Sequence, residues 1–114
     1  MYNVRFLDQA EEDMIKIASY VASDLYHPIA STKLIEQLKE SINGLKEFPK
    51  QHSVYDSYAP LEEEFREIVI GNYAIFYFID EVRKIVFVAF VMYVKQDFDI
   101  ILEHLKVKSE VDRR

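Results

Sequence analysis

Cysteine and tryptophan are absent from this chain of 114 residues, and glycine and proline are scarce, with two and three copies. Without cysteine there is no disulfide frame and no thiolate metal site. With Gly44 and Gly71 as the only glycines, there is no glycine-rich cradle for a phosphate. His27, His52 and His104 have no partner at metal-ligand spacing, so no metal and no cofactor are expected. No apolar run approaches the roughly 18 residues needed to span a membrane. The opening MYNVRFLDQAEEDM lacks the basic and apolar regions of a secretory leader. The expectation is a cytoplasmic protein that does not enter a membrane.

Clustered basic residues are missing too. The formal net charge is -6. Residues 1 to 65 carry 6 Lys/Arg against 12 Asp/Glu, and residues 66 to 108 carry 6 against 6. Binding a nucleic-acid backbone releases counterions only where cations are grouped, so extended nucleic-acid binding is disfavoured. What is abundant is apolar matter, 50% hydrophobic and 14% aromatic residues. That is enough for one packed domain over residues 1–108, with SEVDRR (109–114) as a disordered tail.

The pattern along the chain predicts the order βααβββα, an α+β protein in which a helical hairpin packs on a twisted antiparallel sheet. YNVRF (2–6) alternates as a strand. Asp8, with Glu11 three residues on, forms a plausible capping box. Ala10, Met14, Ile17, Ala18, Val21 and Leu25 then follow at helical spacing until His27-Pro28. A second helix starts near Ile29, carries Ala30, Leu34, Leu38, Ile42 and Leu45 on one face, and is closed by Phe48-Pro49. Residues 49 to 64 lack periodicity and read as a long surface loop. Strands are expected at 65–70, 73–79 and 85–94. IVFVAFVMYV is apolar throughout, as suits a central strand covered on both faces. DFDIILEHLKVK (97–108) reads as a terminal helix capped by Asp97.

The order of these elements, with the segments YNVRFLDQAEEDMIKIASYV, LKEFP, FREIVIGNYAIFYFIDE and VMYVKQDF, resembles the RelE/ParE family of bacterial toxins from type II toxin-antitoxin modules over residues 2 to 103. A two-residue Gly71-Asn72 loop would set Ile70 opposite Tyr73, Ile68 opposite Ile75 and Arg66 opposite Tyr77. One face then holds Arg66, Ile68, Ile70, Tyr73, Ile75, Tyr77 and Ile79, expected under the helices. The other holds Phe65, Glu67, Val69, Ala74, Phe76, Phe78 and Asp80, expected to be open.

The resemblance implies that RNA-cleaving members line the open face with Lys and Arg, because phosphoryl chemistry needs cations where charge grows. The matching slots here hold Phe65, Glu67 and Ala74, and a C-terminal basic pair is reduced to Lys95 and Gln96. A ParE-like toxin that binds a replication enzyme such as DNA gyrase is therefore the favoured expectation. The alternatives are a RelE-like ribosome-dependent mRNA endoribonuclease, using Arg66, Lys95 and Lys50 or His52 of the loop, and a toxin-like binding module without toxicity.

Arg66 and Lys95 are the catalytic candidates. The competing reading of Arg66 is structural: it stacks on Tyr77 and pairs with an acid of the first helix. Val69, Ala74, Phe76, Phe78 and Gln96 are the partner-binding candidates. An apolar open face of this kind asks for a cover. The resemblance implies that a cognate antitoxin provides it, with a homodimer as the substitute when the protein is alone.

Overall fold

The computed structural model describes residues 1–23, 26–55 and 63–94. The order is β1 (Asn3–Phe6), α1 (Asp8–Ala22), α2 (Pro28–Gly44), β2 (Arg66–Ile70), β3 (Tyr73–Asp80) and β4 (Ile85–Tyr93). This is the expected α+β arrangement as far as Val94. The terminal helix expected at 97–108, the tail, Leu25, Lys95, Gln96 and Asp97 lie outside the described residues.

α1 begins at Asp8 itself. Its N-cap is Leu7 in an extended conformation, and no side chain caps it. The expected capping box therefore does not form: Asp8 and Glu11 lie in the first turn and act through the helix dipole. α2 starts with Pro28 at its first position, where a missing N–H costs nothing. It ends at Gly44, short of Phe48-Pro49, and turns at 45–47 lead into the following segment.

The four strands run β1-β4-β3-β2 across the sheet. β2 and β3 form the predicted hairpin, with Arg66 opposite Tyr77, Ile68 opposite Ile75 and Ile70 opposite Tyr73. Gly71 takes a positive φ of 57°, and Asn72 does not share it, as in a type II′ turn. β3 and β4 are antiparallel, but β1 lies parallel to β4, so the sheet is mixed. Arrival in parallel needs a long crossover, and the helices with the β2–β3 hairpin supply it.

β4 is buried from Ile85 to Met92, as its unbroken apolar run implied. A bulge lies where Phe76 pairs with Phe90 but Tyr77 pairs with Val88, leaving Ala89 extra. The extra residue shifts the alternation by one, so Val88 and Val91 share one face while Phe87 and Phe90 share the other.

Two cores result. Under the helices, Ala10, Ile17, Leu38, Ile42 and Leu45 pack on Ile68, Ile75, Tyr77, Val86, Val88 and Val91. On the reverse side, Phe65, Ala74, Phe76, Phe78, Phe87 and Phe90 form an aromatic core. Its rings meet edge to face (Phe65–Phe78 at 5.7 Å, Tyr55–Phe76 at 5.2 Å), tilted (Phe76–Phe90 at 5.2 Å) and stacked (Phe78–Phe87 at 5.3 Å). The reverse side is therefore filled by the chain itself, which corrects the expectation of an open face. Among the described residues, Leu7, Tyr55 and Phe65 pack with this face of the sheet.

Candidate functional site

The candidate residues of β2 and β3 fall into two groups once burial is known. Ala74, Phe76 and Phe78, expected to bind a partner, are buried at 0%, 0% and 2% exposure and serve the aromatic core. Val69 alone of the described set is exposed, at 58%. Phe65 and Ala74, two of the three slots where cations would serve RNA cleavage, are closed to solvent. The third, Glu67, is half-buried, and desolvation raises its carboxyl above the usual range. A carboxyl in that setting repels a phosphate when ionised and offers no cationic donor when neutral.

Arg66 sits opposite Tyr77 as expected, yet its guanidinium does not reach an acid of α1. Nη1 donates to the carbonyl of His52 at 2.7 Å and more weakly to that of Lys50 at 3.4 Å. Nη2 lies 3.8 Å from the exposed carboxylate of Glu64. The Tyr77 hydroxyl, across the ladder, donates to the Pro49 carbonyl at 2.6 Å. The His52 ring meets the Tyr77 ring edge-on at 6.4 Å. Burial pushes the Tyr77 hydroxyl up to about 12, offset in part by Arg66 and the His52 backbone, so it stays a donor at any ordinary pH.

These bonds hold residues 49–55 as a strap along β2, where the sequence suggested a free loop. The Glu67 amide donates to the Ser53 carbonyl at 3.0 Å, the Tyr55 amide donates to the Phe65 carbonyl at 2.7 Å, and Val54 forms an antiparallel bridge with Arg66. A long arginine on the helix-side face can reach round the strand margin to carbonyls that would otherwise go unsatisfied.

Two further polar features escaped the sequence reading. Asp13 lies midway between Ala10 and Ile17 on the buried stripe of α1, and that misplaced carboxylate was the available signal. Its Oδ2 accepts the Val91 amide at 3.0 Å and Oδ1 accepts the Gln9 amide group at 2.9 Å. Desolvation raises its carboxyl, and the two hydrogen bonds oppose the shift. The bond has a topological origin. β1 stops pairing at Phe6–Val88, so β4 runs on without a neighbour and its next outward amide needs an acceptor.

At the other end of the sheet, Glu81 accepts from Tyr2 at 3.0 Å and pairs with Lys50 at 2.9 Å, with Lys84 stacked on the Tyr2 ring at 4.9 Å. Lys50 and Tyr2 lower the Glu81 carboxyl, and Glu81 raises Lys50. Lys50 is thus neutralised where it stands. Lys95 and Gln96 fall outside the described residues.

A family model describing the ParE toxin of the type II toxin-antitoxin system parDE matches residues 4–108. A search of the curated proteins finds no match. Among solved structures, the chain is similar to one from the chromosomal ParDE system of P. aeruginosa. That match has a TM-score of 0.63 and 16% identity, covering 82% of this chain and 97% of the other. It is similar also to the isolated E. coli RelE toxin, with a TM-score of 0.59 and 20% identity, over 95% of this chain and 99% of the other. The RelBE2 toxin-antitoxin complex of Mycobacterium tuberculosis gives a TM-score of 0.57 and 20% identity, over 81% and 96%. At these identities the structural likeness speaks to fold, and the family rests on the match over residues 4–108.

Proposed function

Because this chain belongs to the ParE toxin family of type II toxin-antitoxin systems, we propose that it arrests growth by binding a replication enzyme such as DNA gyrase, and that a cognate antitoxin holds it in check. The carrying observation is the state of the cation slots. Phe65 and Ala74 are buried, Glu67 is acidic, and the Arg66 guanidinium is committed to two backbone carbonyls. Phosphoryl transfer without a metal needs preorganised cationic donors at the scissile group. A surface without them is better suited to holding a polypeptide than to cutting RNA.

In this reading Arg66 is a positioning residue for the strap, and exposed Val69 is a contact residue at the β2 margin. Lys95 and Gln96, following β4 in sequence, are proposed as further contacts. The antitoxin proposal draws support from the ParDE and RelBE systems to which the structural neighbours belong. The test is controlled expression in a bacterial host, beside a supercoiling assay with purified gyrase. Arrest with induced DNA damage and lost supercoiling supports the proposal. Arrest with cleaved messenger RNA and intact supercoiling replaces it with the nuclease reading, and normal growth replaces it with a non-toxic binding module.

A further inference from the structure

β2 is paired along its outer side only at its start. The Phe65 carbonyl and the Glu67 amide point away from β3 and meet Tyr55 and Ser53 of the strap. By the period of two, the amide and carbonyl of Val69 point the same way. The strap does not reach them. The residues before Ser53 turn off to where Arg66 holds the carbonyls of His52 and Lys50, and Tyr77 holds that of Pro49. Among the described residues nothing hydrogen-bonds to the outward groups of Val69.

The side chains beside this stretch leave a charge without an answer. Val69 is exposed. Glu67, two residues earlier on the same face, is half-buried, and Phe76 stands opposite it in the ladder with Tyr55 against the Phe76 ring. Burial alone raises its carboxyl, and among the described residues no hydrogen bond and no cation offsets the shift. Asp13, which burial also raises, holds two hydrogen bonds. Glu67 has no such bond. Arg66, its neighbour in sequence, is committed to the strap. A desolvated carboxylate without a partner is costly, and a cation brought to it relieves that cost. Glu63 and Glu64 lead into the same margin, in a chain of net charge -6.

We propose that the outer end of β2 is a contact site for an arginine-bearing extended segment of another polypeptide. The guanidinium pairs with Glu67 beside the Tyr55 and Phe76 rings, an aliphatic neighbour covers Val69, and the segment's backbone bonds the outward amide and carbonyl of Val69. Arginine is favoured over lysine because its planar, weakly hydrated head forks onto a carboxylate and suits aromatic surroundings. A second copy of this chain is disfavoured, because two-fold pairing at Val69 would join two acidic margins. That the segment belongs to the toxin's target rests on the proposed function; the chemistry of the contact does not.

The experiment uses the full chain and a short fluorescein-labelled peptide of alternating valine and arginine. A control peptide carries citrulline, which keeps the shape of arginine without its charge. Fluorescence anisotropy should show saturable binding of the arginine peptide and about tenfold weaker binding of the control. Glu67→Gln should weaken binding of the arginine peptide about tenfold. Glu40→Gln, the same change of net charge at an exposed position of α2, should leave it unchanged. Because the Glu67 carboxyl makes no bond in the free protein, Glu67→Gln should melt at the parent's temperature or above it. Amide exchange at Val69 should slow at least several-fold in the complex. Equal binding by Glu67→Gln, an equal loss in Glu40→Gln, a clearly lower melting temperature of Glu67→Gln, unchanged exchange at Val69, or no saturable binding would each overturn the proposal. So would dimers of Glu67→Gln with peptide affinity intact, since the carboxylate would then only guard the margin against self-pairing. Growth arrest without peptide binding would reject the contact site and leave the toxin reading standing. Peptide binding without arrest would reject the toxin reading and leave the contact site.

Discussion

Along the start of β2 the chain closes its own sheet, and along β1 the outward groups of Val4 and Phe6 have no partner among the described residues. The difference lies in how each margin's backbone groups are satisfied. At β2, the strap of residues 49–55 brings the Ser53 carbonyl and Tyr55 amide into register, and Arg66 and Tyr77 hold the carbonyls of Pro49, Lys50 and His52. At β1, the outward Tyr2 amide is taken by the Lys46 carbonyl, and the outward groups of Val4 and Phe6, beside a groove, have no partner among the described residues. Where β4 outruns β1, a single carboxylate stands in for the missing strand. A paired margin contributes to stability, and an unpaired one leaves backbone donors and acceptors to solvent.

The largest expected effect tests the interior that both margins frame. Phe76→Ala should cost about 3–5 kcal/mol in urea unfolding, because Phe76 is fully buried between Tyr55 and Phe90. A loss well below ~1 kcal/mol would mean that the reverse face is open after all.

Next comes the strap. Arg66→Met keeps much of the aliphatic stem but removes the guanidinium bonds. It should cost about 2 kcal/mol and speed amide exchange at Tyr55 and Glu67, whose partners belong to the strap. Unchanged exchange at those two amides would show that the strap stands without Arg66.

Tyr77→Phe should cost less, about 1 kcal/mol, by removing the hydroxyl bond to Pro49 while keeping the ring in place. Limited proteolysis after Lys50 should accelerate in parallel. A variant as resistant as the parent would assign the closure of this margin to the backbone ladder alone.

The smallest effect concerns the carboxylate that substitutes for a strand. Desolvation raises Asp13 above the usual carboxylate range, so the folded state holds this proton more tightly than the unfolded state. Its contribution to stability is therefore greatest at low pH and declines as pH rises through the folded value. Asp13→Asn keeps an oxygen for the Val91 amide and removes the titration. The stability difference between parent and variant should drift with pH across the carboxylate range. A difference that stays constant there would refute the assignment.

The helices, the hairpin register and the two-face sorting of β2 and β3 were legible because each depends on a local period. Apolar residues at three and four mark a helix stripe, and a two-residue turn sets every pair that follows. The parallel seat of β1 was not legible, since strand direction is decided by what the intervening chain can span. Nor was the burial of Phe76 and Phe78: alternation names the face a side chain is on, not whether anything covers it. The Arg66 slot was found, but its contacts with Lys50 and His52 join residues separated by 16 and 14 positions. No pattern in one strand reports such contacts. Asp13, an acid inside an apolar stripe, went unread, because its reason lies on β4, 78 residues away.

By itself, then, the order of residues determined the elements, their faces, the central place of β4 and the poverty of cations on β2. Those follow from periodicity and composition, which act over a few residues. Only the tertiary structure decided which stretch of margin is paired by the strap, which has amides without a partner among the described residues, and that the aromatic face is filled. Those outcomes depend on backbone groups meeting partners from distant parts of the chain, and a hydrogen bond acts only where the fold brings donor and acceptor to within about 3 Å.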